Sequence, residues 1–484
     1  MNFNSKLLDI MNEIEKIGKE IDGSFFYTNP VSRISKLHDE KTEKLLAEIA
    51  KTESIRMPIL VAKIVMRFLG LSAAGLCLSL LGMRQNYTFN RLLKNDSLKE
   101  SRNALIISHG TRRNLNSEKD LYIPIPFDSE VHQKRIWLYI NHIKKISSTT
   151  TQLTNRPGLH VIIPRTMGFR DLFSFIFQSF RILKRYFVEA KHMDKSNILT
   201  LAAINLLIVN QFSKSAYSNF NLLRKIEKSL FAFKVESISF TVEGHPHEEI
   251  IQRLSNVGDQ RIKLKYYQTA PFCQAQIGLK FFLTNIGEAR NTNFCVYGEK
   301  SAEFLAKFLQ KNGIQILGSR NFVEKHICEG HKSLILIAPE AMDYENLKFL
   351  DFAIKLLQVN KGIEIRIRTH PDYEPTNRFN ELKKRLVNLG ATFSSQSLGR
   401  DLCESSFILY SGSSVCLEAL AHGVTPIYVK NRFGFNTNPL NNSRVNFFHE
   451  IDIFEKVPIL DFKTFPKNDL RDFYGMQIQN FKGD

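Results

Sequence analysis

No cysteine pair at C-x-x-C spacing occurs among these 484 residues; Cys77, Cys273, Cys295, Cys328, Cys403 and Cys416 stand singly. Zinc-finger frameworks are thereby excluded, and scattered thiols in so long a chain imply reduced, mostly buried cysteines and a cytosolic setting. The first residues are charged throughout and do not read as a signal peptide. The uncharged run Phe68–Met83 falls short of the ~20 apolar residues that cross a bilayer and is interrupted by Gly70, Gly75 and Gly82. It reads as a buried helix, with a membrane-surface or re-entrant helix and, last, a true span as alternatives because Lys63, Arg67 and Arg84 flank it. There is no G-x-x-x-x-G-K-[ST] loop and no G-x-S-x-G elbow, which argues against P-loop and hydrolase chemistry. Acids are in short supply: 66 Lys+Arg against 48 Asp+Glu leave a net charge of +18. Such a balance suits nucleic acid, anionic lipid or phosphorylated substrates. With no RNA-recognition signature and no dense basic block with aromatics, nucleic acid ranks last.

What is present centres on Ser405–Val429. Phe407–Tyr410 is a short apolar strand, Ser411-Gly412-Ser413-Ser414 a turn, Val415–Ala421 a helix that Gly423 stops, and Thr425–Val429 another strand. A serine turn at a helix N-terminus offers hydroxyls and amide N–H groups to an anion. Glu418, one turn further on, is placed for ribose hydroxyls.

Leu7, Ile10, Ile14, Ile17 and Ile21 make an amphipathic helix from Asn4-Ser5 to near Gly23, docked on the body or, alternatively, used as a dimer contact. From Asn103 strands and helices alternate: Ala104–Ile107 with a turn at Ser108–Thr111, Leu159–Ile163, Ser237–Val242 and Lys263–Tyr267. Phe173, Phe175, Phe177, Phe180, Arg181, Lys184, Arg185, Tyr186 and Phe187 mark a helix that packs in the core with a basic outer face, or else faces a membrane. A second alternation starts near Asn293, with strands at Phe294–Tyr297, Ile314–Leu317, Leu334–Ala338 and Ile363–Ile367. The pattern predicts an α/β protein: a helical extension (1–100), two doubly wound domains (101–288 and 289–461) facing a cleft, and a closing helix and tail (462–484). Ligands in such sheets bind beyond the strands' carboxyl ends, which makes Glu243, Arg320, Glu340, His370 and the serine turn cleft residues.

This arrangement resembles bacterial glycosyltransferases of the two-Rossmann (GT-B) type, closest to enzymes of surface polysaccharide synthesis that use CMP-activated acidic sugars. Sialyl- and polysialyltransferases carry an acidic-Gly, a His-Pro and a Ser-Ser/Thr motif in that order; here stand Glu243-Gly244, His370-Pro371 and Ser413-Ser414. The run Ser414, Glu418-Ala419-Leu420, Gly423, Pro426 also looks like capsule-type Kdo transferases. Val242 occupies a place where those families often have a second acid, and His245-Pro246 repeats the His-Pro motif.

The resemblance implies a glycosyltransferase that moves a sialic-acid- or Kdo-type sugar from a CMP donor to a glycan or lipid-linked acceptor. Glu243 is the expected general base, taking the acceptor hydroxyl's proton. His370 is the expected partner of the departing phosphate, with the nucleotide held by Ser411, Gly412, Ser413, Ser414, Glu418, Arg320, Glu340 and Arg368. No D-x-D pair stands at a strand end, so neither a metal nor another cofactor is expected, although His245 and His247 have zinc-like spacing. Arg366 and Arg368 have a simpler reading as the solvated face of their strand. Expected partners are the sugar nucleotide, the acceptor and an anionic membrane, with a cytoplasmic place at the membrane's inner face and a homodimer as an option. A sugar-nucleotide 2-epimerase, a polyol-phosphate transferase and a non-catalytic glycan-assembly scaffold remain alternatives.

Overall fold

The computed structural model describes residues 9–17, 57–81, 83–94, 103–117, 120, 122–123, 135–141, 152–153, 159–192, 198–255, 262–273, 276–286, 292–309, 313–318, 334–360, 362–430, 436–442 and 449–451. The strands are β1 (Asn103–Gly110), β2 (Arg135–Asn141), β3 (Gln152–Leu153), β4 (Leu159–Ile162), β5 (Val235–Val242), β6 (Lys263–Gln268), β7 (Thr292–Val296) and β8 (Ile314–Ile316). They continue with β9 (Leu334–Ile337), β10 (Glu364–Ile367), β11 (Thr392–Phe393), β12 (Phe407–Tyr410), β13 (Thr425–Val429) and β14 (His449–Ile451).

Two sheets result, each with Rossmann-like winding. The first is eight-stranded in the order β3-β4-β2-β1-β5-β6-β7-β8, parallel except for β3 at its edge. The second is six-stranded in the order β11-β10-β9-β12-β13-β14, parallel throughout. Both are sandwiched, so successive residues serve different cores. Leu105 and Ile107 enter one cluster and Ile106 another; Ile335 and Ile337 are likewise separated from Leu336. Burial on both faces explains why these strands read as continuous apolar runs. In each sheet the strand order reverses at one point, β1/β5 in the first and β9/β12 in the second, the places where a crevice can form at the strands' carboxyl ends.

Several expectations change. The boundary at 288/289 moves: β7 pairs with β6 and β8 with β7, so both belong to the first sheet and the crossing lies between 318 and 334. Alternation alone does not tell one sheet from the next, because a parallel edge strand looks the same whichever sheet it extends. Strand β2, absent from the sequence reading, is a neighbour of β1 and carries the buried Trp137 and Tyr139. The turn expected at Ser108–Thr111 begins later, since β1 runs through Gly110. Residues 9–17 are helical, with Ile10, Met11, Ile14 and Ile17 buried in a cluster with the Phe169–His192 and Lys214–Ala232 helices, which favours docking over a dimer contact. The buried helix expected at Phe68–Met83 is instead a longer helix, Met57–Leu81, exposing much of its apolar surface. Cys403 is disulfide-bonded rather than a reduced thiol. Cys273, Cys295 and Cys416 are buried free thiols, and Cys77 is free and exposed. Leu7, Ile21, Arg320, Cys328 and 462–484 lie outside the described residues.

Candidate functional site

At the first crevice the chain leaves β5 through Glu243-Gly244 and enters the Pro246–Ser255 helix. Glu248, in that helix's first turn, reaches back: its Oε1 accepts the Glu243 N–H at 2.7 Å and its Oε2 the Gly244 N–H at 2.8 Å. The carboxylate thus satisfies main-chain donors that the turn would otherwise bury unpaired. Burial pushes the Glu248 carboxyl up to about 7, against the opposing pull of His245 and these two amides. Gly244 has φ +84°, and a Cβ there would lie 2.1 Å from the Leu279 nitrogen and 2.6 Å from the Gly278 carbonyl carbon. The turn is therefore clamped between its own helix and the Ile277–Asn285 helix.

This clamp presents Glu243. Its Oε2 accepts from His245 Nε2 at 3.1 Å, and its other oxygen accepts a short hydrogen bond from the Thr269 hydroxyl, just past β6. A carboxylate only accepts, so Nε2 carries the proton and Nδ1 is the acceptor of the neutral ring. Burial raises the Glu243 carboxyl, but the His245 hydrogen bond and charge, the nearby His109 and the Thr269 hydroxyl outweigh it and hold the group well below the usual carboxylate range. The two side chains stay reachable, at 29% exposure for Glu243 and 30% for His245.

Across the crevice, β1 delivers His109, whose Nε2 is 3.0 Å from the Thr241 hydroxyl. The His109 ring lies 6.3 Å from both His245 and His247, which stack on each other at 5.3 Å. The loop after β1 is pinned by the fully buried Asp120, which accepts from the Ser108 hydroxyl, Asn114 Nδ2 and the amides of Tyr122 and Ile123. Tyr122 is thereby set edge-on to His109 at 4.9 Å. His109, Tyr122 and Thr269 escaped the sequence reading as site residues. Only the H-x-H pair signalled anything there, and it was weighed as a metal site. Among the described residues no group of three or more His, Cys, Asp or Glu is arranged to hold a metal ion.

The second crevice joins the ends of β9 and β12. The turn 411–414 is half-exposed and leads into the Val415–Ala421 helix. The Ser413 hydroxyl accepts the Val415 amide at 3.3 Å, whereas Ser414, at the cap position, makes no side-chain cap bond. Seven residues give this helix only a small dipole, so what the turn could offer an anion is hydroxyls and amides. Glu418 is half-buried, and the Glu340 carbonyl, beyond β9, accepts from Asn346 Nδ2 at 2.8 Å. His370 follows β10, one strand beyond β9, so its backbone stands two strand spacings from Ser411, about 10 Å. Its Nδ1 accepts the Asp372 amide at 3.1 Å, which makes Nε2–H the donor of the neutral ring. Arg368 is not brought to the crevice: its Nη1 lies 2.7 Å from Asp401 Oδ2 and 2.7 Å from the Gln396 carbonyl. Arg366 pairs with the same fully buried Asp401 at 3.3 Å, so neither arginine forms a merely solvated face.

Tyr122 has charge interactions with residues of both domains. Burial raises its phenol, the Thr111 hydrogen bond opposes this, and the charges of Asp372, beside His370, and of Glu243 raise it further.

No protein-family model matches the chain, and no curated protein does. Solved structures of similar fold include a putative UDP-N-acetylglucosamine 2-epimerase from Listeria monocytogenes, 9% identical over 68% of this chain and 80% of that one, TM-score 0.39. The alpha,alpha-trehalose 6-phosphate synthase of Burkholderia multivorans is 9% identical over 73% and 88%, TM-score 0.39. The UDP-N-acetylglucosamine 2-epimerase of Rickettsia bellii is 14% identical over 74% and 90%, TM-score 0.37. At such TM-scores the overlap says nothing of chemistry, which is argued from the residues.

Proposed function

We propose that the chain is a glycosyltransferase working between its two crevices, with a CMP-activated acidic sugar as donor and a glycan or lipid-linked hydroxyl as acceptor. The observation that carries this reading is the Glu243 carboxylate, held just past β5 at the first sheet's switch point by His245 and Thr269. On this reading an acceptor hydroxyl lies beside Glu243, and the His370 loop and the serine turn hold the donor. Glycosyl transfer needs that division: a proton acceptor for the incoming hydroxyl on one side, hydrogen-bond donors for the departing phosphate on the other.

Glu243, held well below the usual range, is ionised at neutral pH and by itself a weak base. It orients the acceptor hydroxyl and the His245 ring together. In its neutral form the His245 ring has an acceptor nitrogen, Nδ1, so the pair offers the hydroxyl's proton a second site beside the carboxylate. On the other side the His370 Nε2–H and the serine hydroxyls donate to the phosphate oxygens as negative charge grows there. On this reading Glu418 and Glu340 accept from the ribose hydroxyls.

Incubating the protein with CMP-, UDP- and GDP-sugars, with and without a glycan acceptor, tests the reading. Acceptor-dependent release of CMP is expected. Glu243→Gln is expected to lower transfer by about 10²–10⁴-fold while leaving CMP affinity within a factor of a few. Release of UDP or GDP alone, or a Glu243→Gln variant with full activity, sinks it.

A further inference from the structure

The Met57–Leu81 helix is inside out. It packs against the cluster that also holds residues 9–17, yet the two helices present opposite faces. Residues 9–17 bury Ile10, Ile14 and Ile17. The Met57–Leu81 helix buries Gly75 and Ser79 and exposes Met66 at 70%, Leu69 at 54% and Leu80 at 54%. Gly75 allows the close approach: a Cβ there would stand 3.0 Å from Leu172 Cδ1 and 3.6 Å from Tyr217 Cε2. Small residues toward the protein and large apolar ones outward is the pattern of a helix whose outer solvent is lipid.

The neighbouring Phe169–His192 helix continues the surface. Phe68 packs on Phe180 at 4.9 Å, and on the outside Phe173 is 67% and Phe177 70% exposed. One turn further along the same stripe Arg181, Lys184 and Arg185 are exposed. Its Asp171 is buried and turned to Lys228 at 2.7 Å. From Met57 to Lys94 the chain contains no Asp or Glu. An apolar field with a basic margin and so little acid is complementary to anionic lipid. Pairing of this face with a second copy by two-fold symmetry would set the basic stripe against itself. No described helix alone is long and apolar enough to cross a membrane; Val65–Leu80 and Met83–Leu93 reach that length only as a pair bent by 65°, and the second of them buries Asn86, Phe89 and Leu93 in the protein.

We infer that this face docks the protein on an anionic phospholipid bilayer, without crossing it: the Met57–Leu81 helix and the outer phenylalanines enter the interface while Arg181, Lys184 and Arg185 meet lipid phosphates. The inference is independent of the proposed chemistry and is read without donor or acceptor. The full chain is sedimented with phosphatidylcholine vesicles and with phosphatidylcholine–phosphatidylglycerol vesicles, at about 0.1 M and about 0.5 M salt. Binding to the anionic vesicles is expected, at least about tenfold weaker on phosphatidylcholine and weakened by salt. The Phe173→Glu/Phe177→Glu variant is expected to lose binding at least about tenfold with its thermal midpoint unchanged, since both rings are solvent-facing. Absence of vesicle binding overturns the inference. So does undiminished binding by a folded double variant, or a dimer in light scattering that the double variant separates.

Discussion

The two crevices occupy equivalent points of their sheets but are built in opposite ways. At the first, every group around Glu243 is held by another: Glu248 grips two amides, Thr269 and His245 grip the carboxylate, and Gly244 is wedged against backbone. At the second, the turn 411–414 is half-exposed, with Ser413 tied to one amide and Ser414 making no cap. Catalytic groups gain from rigid placement, because reorganisation during the reaction costs rate. A binding turn gains from hydroxyls that rotate onto a ligand. Equivalent topology thus supports a fixed side and a receptive side, and the side chains decide which is which.

The strongest break of this contrast is a matched pair of glycine substitutions, one per domain. Gly244→Ala puts a methyl into the Leu279 nitrogen and is expected to cost more than about 4 kcal/mol, seen as loss of the cooperative thermal transition or of soluble protein. Gly423→Ala, at φ +78° with nothing within 4 Å, bears only backbone strain of about 1–2 kcal/mol. Equal losses would mean that the first turn is not clamped. Next in size are the two serines. Ser413→Ala is expected to weaken CMP binding severalfold and to lower stability by about 1 kcal/mol, since it also removes the Val415 amide's partner. Ser414→Ala is expected to weaken CMP binding alike with the thermal midpoint unmoved; calorimetry and melting curves separate the two.

A third test concerns the electrostatics of the first turn. Glu248 is raised by burial from its ordinary 4.5 to about 7. Its protonated form is therefore the one favoured by folding. That stabilisation is complete below about pH 4.5 and is lost as pH rises through 7. Glu243 has the opposite sign: held low, it stabilises above the ordinary carboxylate range and loses this only as acid protonates it. Glu243 is common to the natural chain and Glu248→Gln, so the difference between their melting temperatures isolates Glu248. The natural chain's advantage is expected to shrink between pH 5 and 8; a constant or growing gap contradicts the assignment.

Much of the fold was legible because strand and helix periodicities are local. Phe407–Tyr410, Ser411–Ser414, Val415–Ala421 and Thr425–Val429 fall where hydrophobic runs and turn residues put them. Glu243 and His370 stand at strand ends for the same reason. Neighbourhood across the sheet was not legible. His109, on β1, and Thr269, after β6, reach Glu243 and its partner histidine only because β1 and β6 flank β5. Nothing in their own sequence surroundings marks either. Arg368 illustrates the converse: on a strand end, it looked available, and Asp401 claimed it.

By itself the sequence determined the class of fold, the ligand-like turns and the excess of positive charge, since these follow from residue type and spacing along the chain. Only the tertiary structure decided that β7 and β8 extend the first sheet, that a histidine cluster surrounds Glu243, and that the Met57–Leu81 helix turns its leucines outward. Each of those depends on which distant segment packs alongside. Strand pairing and helix docking are settled by the joint burial of surfaces far apart in the chain, a quantity that no local pattern contains.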